Sequence, residues 1–409
     1  MTQRRQFLGS LAGAALATPL GRLAGAAPAP SPSPSPGLPS GAVESGILAA
    51  LPGKKPLIKR SFRAPNYETP LQYFDQLYTP NDAFFVRYHL SGIPRVDARS
   101  WRLRVGGAAA VAPREFSIDE LRRGFEQVEV AAVAQCSGNR RGLYTPHVPG
   151  IQWSIGAMGN ARWRGVRLRD VLARAGVRPG AVEVAFDGAD TGVLAATPDL
   201  VKSLPVEKAL DEHSLIALEM NGEPLPHWHG APARLVVPGW TATYWVKHLA
   251  SISILPAAFD GYWMKSAYRL PRDAFPGAAP FASQASESTT PITSMVVNSL
   301  VTNMVSGQKV AAGAAVTIRG IAWDGGHGIR KVEVAEGADG PWSPAGLGAD
   351  AGRFSWRQWH YSFRPGAKGS QRLLFRATSN AGETQGSQLV PNPAGYHHNL
   401  IQALDLVTG

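Results

Sequence analysis

The chain contains a single cysteine, Cys136, and the residues around it set the first question. It follows the apolar run Val133-Ala-Gln and precedes Ser137, Gly138 and Asn139, with Arg140 and Arg141 next in line. Guanidinium groups near a thiol favour the thiolate, the form that attacks electrophiles or binds a metal. A nucleophilic role requires a base, which His89 or His147 offers. A ligand role requires a soft redox metal. Spacing alone does not choose between them, and a buried, inert thiol is the plain alternative. A lone cysteine cannot form a disulfide within its own chain.

Other chemistry-bearing residues stand apart in sequence. Arg87 lies in Phe84-Phe-Val-Arg-Tyr-His89, and Tyr268 in Lys265-Ser-Ala-Tyr-Arg. A guanidinium fork matches two oxygens of an oxyanion at once and stays charged at any working pH. His227 and His229 flank Trp228, but a third zinc ligand at usable spacing is missing. His397 and His398 read as part of a C-terminal tail. The sequence has no C-x-x-C-H, so no c-type haem is attached to it, and one cysteine cannot hold an iron–sulfur cluster.

Several kinds of element must position these groups. Ser100 to Val105 and Val182 to Phe186 read as strands. Leu168 to Ala175 has the apolar spacing of a helix that stops near Gly176. Arg234 to Pro238 and Ile252 to Leu255 are short β-rich runs. The mixture is α+β, and no G-x-G-x-x-G stands between a strand and a helix. Beyond about Thr290, segments 315–323, 329–334, 354–361 and 372–378 are strand-like and separated by Gly- and Asp-rich turns. That spacing predicts an immunoglobulin-like β-sandwich.

The whole chain has 409 residues, 44% hydrophobic and 17% charged, with 44 Gly and 33 Pro. This suits a two-domain globular protein rich in turns and strands. Arg4-Arg5-Gln-Phe-Leu, the mild apolar run Leu11 to Leu20 and Ala24-Gly-Ala read as a twin-arginine (Tat) signal over residues 1–26. That address predicts export of the folded protein to the periplasm. Its removal deletes three arginines and no acid, taking the formal charge from +11 to +8. Residues 27–55 form a Pro/Ser-rich spacer and N-terminal arm. A catalytic domain at 56–286 and the sandwich at 287–409 follow. No membrane span is expected in the mature chain, and no basic helix interleaved with aromatics suggests nucleic acid.

Taken together, four motifs resemble the sulfite oxidase family. They are Phe84 to His89; Cys136-Ser-Gly-Asn-Arg-Arg141 with Trp153 to Val166; Glu219 to Pro226; and His229 to Gly239 with Val246-Lys247. They cover roughly residues 80–270 in the family's order, and the sandwich matches its C-terminal domain. A Tat signal without a haem domain is most similar to the molybdenum subunits of bacterial sulfite:cytochrome c oxidoreductases (sulfite dehydrogenases).

The resemblance implies a molybdopterin-binding domain carrying molybdenum, with Cys136 as the protein's thiolate ligand. Arg87, His89, Arg141 and Tyr268 become catalytic candidates. Arg87, Arg141, Trp153 and Tyr268 would line the substrate pocket. Phe85, Val86, Arg87, Tyr88, His89, Asp187, His229, Arg234, Trp245, Val246 and Lys247 would hold the pterin and its phosphate. Sulfite would be oxidised to sulfate, with electrons passed singly to a c-type cytochrome, as a tightly bound subunit. Two departures from the vertebrate pattern stand out. No lysine lies between Arg141 and Trp153, and Tyr396-His397-His398 stands where those relatives carry a pocket arginine. Within the family, a sulfane dehydrogenase subunit of a thiosulfate-oxidising complex is the main alternative, and a periplasmic methionine sulfoxide reductase shares only the molybdenum domain. From a different class, an exported binding protein would leave the Cys136 region unexplained.

Overall fold

Two long strands deliver the thiol. In the computed structural model, which describes residues 48–366 and 368–409, Gln127–Gln135 pairs antiparallel with Met158–Arg167, from Gln127 opposite Val166 to Gln135 opposite Met158. The Tat segment and the spacer up to residue 47 lie outside the described residues. The pair carries four valines and Trp163, residue types that suit a pleated surface. Its thiol end, from Ala132 to Gln135, is buried on both faces. Leu215–Met220 extends this sheet on the far side of Met158–Arg167, and pairs in turn with Glu223–Pro224 and Arg234–Val236.

A second sheet packs beside the first in the order Lys202–Pro205, Glu183–Gly188, Leu249–Leu255, Leu103–Gly106, Arg114–Phe116. Only Leu249–Leu255 with Leu103–Gly106 is parallel. The expected strands at 100–105 and 182–186 are present, shifted toward their C-terminal ends. The helix Leu168–Ala175 buries Leu168, Val171, Leu172 and Ala175 and ends at Gly176, whose φ of +70° suits a residue without Cβ. Ile118–Gly124 is started by a capping box between Ser117 and Glu120. Helices are few and short, so the catalytic half is more nearly all-β than the α+β mixture expected from sequence.

A smaller N-terminal sheet, in the order Leu48–Ala49, Leu57–Ser61, Asn66–Glu68, Val86–Arg87, brings Arg87 into register opposite Asn66. Beyond residue 297 two sheets face each other. One runs Asn298–Val301, Val316–Trp323, Arg357–Phe363, Gly346–Leu347. The other runs Lys309–Val310, Gln402–Thr408, Gly369–Ser379, Ile329–Glu336, Trp342–Pro344. Their shared core holds Val301, Ile318, Val332, Trp359, Phe375 and Leu404. The strand read from Phe354 begins only at Arg357. Phe354 instead joins the catalytic core, and its carbonyl accepts from Val133 N at 2.9 Å. Phe74, Val133, Met158, Leu300, Trp323 and Trp356 form a further apolar cluster joining the two halves.

Candidate active site

Cys136 sits at the end of its strand, 6% exposed, with its backbone N–H bonded to Ala157 O at 2.9 Å. It lines a pocket with Phe84, Phe85, Arg87, Tyr88, His89, Asp190, Leu200, His229, Arg234, Ala242, Thr243, Trp245, Val246 and Lys247. The pocket encloses about 630 Å³ not filled by protein atoms, solvent at the mouth included. Ten of the residues singled out from sequence therefore converge: Phe85, Arg87, Tyr88, His89, Cys136, His229, Arg234, Trp245, Val246 and Lys247. Phe84, Asp190, Leu200, Ala242 and Thr243 were not singled out.

The cation beside the thiol is not the one its neighbours in sequence suggested. Arg140 turns away, donating to Asn298 Oδ1 at 2.6 Å and Ser299 O at 2.8 Å. Arg141 donates to Ala394 O at 2.7 Å and Ile151 O at 3.1 Å. Arg87 instead meets Cys136, reaching it from the N-terminal sheet. Burial opposes its charge, but Tyr268 and Cys136 together raise its pKa. Arg87 also donates to Asn66 Oδ1 at 3.1 Å and to Tyr88 O.

Tyr268 closes one side of this cluster. Arg87 Nη2 donates to its hydroxyl at 3.4 Å, and the hydroxyl also contacts His89 Nε2. Arginine can only donate, so the phenol oxygen accepts from Arg87, while the direction of the Tyr268–His89 bond follows the imidazole tautomer. Burial, above all, keeps His89 neutral, with its pKa well below the ordinary value. Burial also raises Tyr268, so it stays a phenol near neutral pH. Its ring stacks on Tyr396 at 5.8 Å between centroids, 9° from parallel. The Arg141 guanidinium lies 5.3 Å from the centroid of the Tyr396 ring. Tyr268 and Arg141 thus border the site without being among the lining residues.

The remaining calls fall elsewhere. Trp153 is 1% exposed within the main core and does not line the pocket. Val86 packs with Leu57, Tyr67 and Tyr88 in the N-terminal sheet. Asp187 does not line the pocket; Asp190 does, three residues on, where the chain has left the Glu183–Gly188 strand. Burial pushes both carboxyls up to about 6. His147, one candidate base, is exposed. His397 and His398 are not a loose tail: each is 3% exposed, with ring contacts to Phe275 and Tyr144 respectively.

At the other end the pocket collects positive charge. Lys247 Nζ donates to Arg87 O at 3.0 Å and Trp228 O at 2.8 Å, and lies 3.8 Å from the Tyr88 ring centroid. Burial, then Arg234, lowers Lys247 well below its usual range. Arg234 lies over Trp163 and Trp245, and burial lowers it to about 10. Its Nε is sealed without a partner among the described residues. Asp190 is the one carboxylate lining a pocket that holds Arg87, Arg234 and Lys247. Buried cations with unspent donors demand an anion. A phosphate-bearing pterin supplies one, and the thiol at the opposite end supplies a soft ligand for its metal, so the residues fit the molybdenum cofactor.

Comparisons with known proteins agree with that fit. Residues 89–263 match the oxidoreductase molybdopterin binding domain, and residues 289–403 the Mo-co oxidoreductase dimerisation domain. The chain is 32% identical over 354 residues to human mitochondrial sulfite oxidase, covering 83% of this chain and 63% of that protein. Chicken sulfite oxidase is 32% identical, with 83% and 75% covered. Arabidopsis thaliana sulfite oxidase is 31% identical, with 74% and 79% covered. The chain therefore spans less than two thirds of its human relative and a larger share of the other two. Among solved structures, the sulfane dehydrogenase SoxCD from Paracoccus pantotrophus superposes with a TM-score of 0.71 at 27% identity, over 84% of each chain. With its pocket chemistry and its two matched domains, the chain belongs to the sulfite oxidase family of molybdopterin-binding oxidoreductases.

Proposed function

We propose that this chain is a sulfite dehydrogenase that oxidises sulfite to sulfate in the periplasm and passes the electrons to a c-type cytochrome, probed below by acceptor and substrate. The observation that carries the reading is the meeting of Cys136 with Arg87, Tyr268 and His89 at the cationic pocket. When bound, the molybdenum cofactor supplies the two-electron chemistry at sulfur and its release as single electrons. The chain's own residues do the rest. Arg87 would bind and orient a sulfur oxyanion, with Arg141 supporting Tyr396, the ring stacked on Tyr268. The hydroxyl of Tyr268, oriented by Arg87 and His89, offers a fixed dipole toward the reacting group. Arg234, Lys247 and His229 would hold the pterin's phosphate.

Residues 56–286 would form the catalytic domain and 287–409 an immunoglobulin-like sandwich. Export by the twin-arginine route fits a protein folded around its cofactor before crossing the membrane. The electrons would pass to a separate c-type cytochrome, and a tightly bound subunit is the arrangement proposed. The test is molybdenum analysis paired with sulfite-dependent reduction of cytochrome c and the electron paramagnetic resonance signal of the half-reduced metal. About one molybdenum per chain and rapid cytochrome reduction support the reading. Molybdenum without sulfite turnover overturns the substrate.

A second reading has a specific observation in its favour. The segment Tyr396-His397-His398, read as standing where vertebrate relatives carry a pocket arginine, contributes a tyrosine stacked on Tyr268, and a solved structure that superposes is a sulfane dehydrogenase. A less positive wall suits sulfur carried on a larger group. Turnover on a carrier-bound sulfane exceeding turnover on free sulfite would select this alternative.

A further inference from the structure

The N-terminal arm reaches the cofactor end of the pocket. Between the paired strands Leu48–Ala49 and Leu57–Ser61, the chain turns so that Pro52 O accepts from Trp228 Nε1 at 2.9 Å. Lys54 then points inward. Its Nζ lies 2.5 Å from Asn81 O, 2.8 Å from Phe84 O and 2.7 Å from His229 Nε2. An ammonium has three hydrogens to donate and nothing with which to accept. Two of the three partners are carbonyls, so when Lys54 is charged the third hydrogen goes to the ring nitrogen, whereas a neutral amine would accept from Nε2–H instead. With Lys54 charged, Nε2 is therefore the unprotonated nitrogen, and a neutral imidazole must carry its proton on Nδ1.

His229 is held neutral, its pKa well below the ordinary value through burial and the nearby Lys54. Its ring lines the pocket, and the hydrogen bonds the ring makes among the described residues are at Nε2. The competing arrangement is visible too: Asn81 O stands 3.3 Å from Nε2 and would accept from it if Lys54 were absent. Lys54 thus decides whether His229 presents a donor or a lone pair to the pocket. A lone pair would repel an anion, whereas an N–H would bind one.

We propose that Lys54 is a positioning residue for the molybdenum cofactor, fixing His229 as an Nδ1–H donor toward the anionic phosphate of the pterin. The role rests on the cofactor reading of this pocket. It assigns the arm that follows the spacer a part in retaining the cofactor, beyond covering the sheet. Burial lowers Lys54 to about 7, against the pull of Asp82, so an anion in the pocket favours the charged form that supplies all three hydrogens.

The test uses full-length protein labelled with ¹⁵N-histidine, prepared with and without cofactor, and Lys54→Met beside it. The His229 signals, identified by their loss in His229→Gln, should show the Nδ1–H tautomer in the unsubstituted chain and the Nε2–H tautomer in Lys54→Met. Pterin release, followed by the fluorescence of the oxidised pterin, should be roughly 10–100-fold faster in Lys54→Met. In a His229→Gln background the same change should alter release by less than about twofold, because the residue through which it acts is gone. An Nε2–H signal in the unsubstituted chain overturns the proposal, even if Lys54→Met fails to fold. So does a tautomer switch with unchanged release, or equal effects in both backgrounds. Absence of any pterin from the purified protein would refute the cofactor reading, while the tautomer in the cofactor-free chain would still decide what Lys54 does to His229.

Discussion

Replacing Arg141 by methionine separates two roles that one side chain holds. Its guanidinium is fitted between Gly138 and Gly150, where an added Cβ would approach it to 2.7 and 2.8 Å. It spends Nε on Ala394 O at 2.7 Å and Nη1 on Ile151 O at 3.1 Å. It also supports the Tyr396 ring that stacks on Tyr268. Methionine fits the same channel but donates nothing. Ala394 and Ile151 are only partly buried, so water replaces some of what is lost. Two orphaned carbonyls and the ring contact then cost about 2–3 kcal/mol of stability. If the remaining positive charge also binds the oxyanion, a charge-assisted contact worth about 1.5–3 kcal/mol disappears as well. That corresponds to roughly 10–100-fold in kcat/KM. Steady-state reduction of cytochrome c by sulfite, at fixed ionic strength, measures the second quantity, and thermal unfolding of the same preparation the first. Arg141→Lys keeps the charge and should recover part of kcat/KM but little of the stability. A methionine variant that melts early yet keeps kcat/KM within about twofold of the parent would show that Arg141 is only a strut.

Cys136→Ser should abolish sulfite turnover, because a neutral hydroxyl is a poor ligand for a soft metal, while the pterin stays bound by Arg234 and Lys247; retained turnover would remove Cys136 from the metal's coordination. Arg140→Met should lower stability by about 2–4 kcal/mol in thermal unfolding, since it removes the buried donors to Asn298 and Ser299 that tie the Cys136 loop to the C-terminal half. Burial lowers His397 and His398 to about 3. Below pH 6.5 the unfolded chain takes up protons that the native state refuses, so stability should fall with pH by about 2 kcal/mol per histidine at pH 5. Replacing both by glutamine should flatten urea midpoints compared between pH 7 and pH 5, and an unaltered slope would refute the argument.

How much of this was legible in the sequence depends on whether a residue's partners are local. The helix at 168–175 was readable because its apolar residues recur at helical spacing and Gly176 follows them. The strand running into Cys136 was readable from its composition. Arg87 is a different case, lying 49 residues from Cys136 in sequence and brought to it by the register of Val86–Arg87 against Asn66–Glu68. No local pattern reports that register, and the motif entered only through resemblance. Adjacency also misled. Arg140 follows Cys136 closely, yet its left-handed backbone, at φ +69°, sends its guanidinium toward Asn298. For the carboxylates, a shift of three residues exchanged Asp187 on the strand for Asp190 in the loop after it. The two terminal histidines looked like tail because polar pairs near a chain end usually are. Their burial comes from contacts with Phe275 and Tyr144, far away in sequence.

Those distant contacts bear on what the second half of the chain is for. The wall behind Tyr268 is Tyr396, and Tyr396 is fixed by donors from the catalytic half: Tyr144 Oη bonds its carbonyl at 2.6 Å, and Arg141 bonds Ala394 O two residues before it. Tyr244 Oη bonds Ile292 O at 2.7 Å, and Ile292 N bonds Tyr268 O at 2.8 Å, so the strap carrying Tyr268 is stitched to the start of the C-terminal half. Neither Tyr268 nor Tyr396 lies within residues 89–263, the span of the molybdopterin-binding match. The pocket is consequently composite. The match contains the thiol, Arg234 and Lys247, whereas Arg87, Tyr268 and Tyr396 come from outside it. Tyr396, from the second half of the chain, therefore supports Tyr268 through a stack that donors from the first half hold in place.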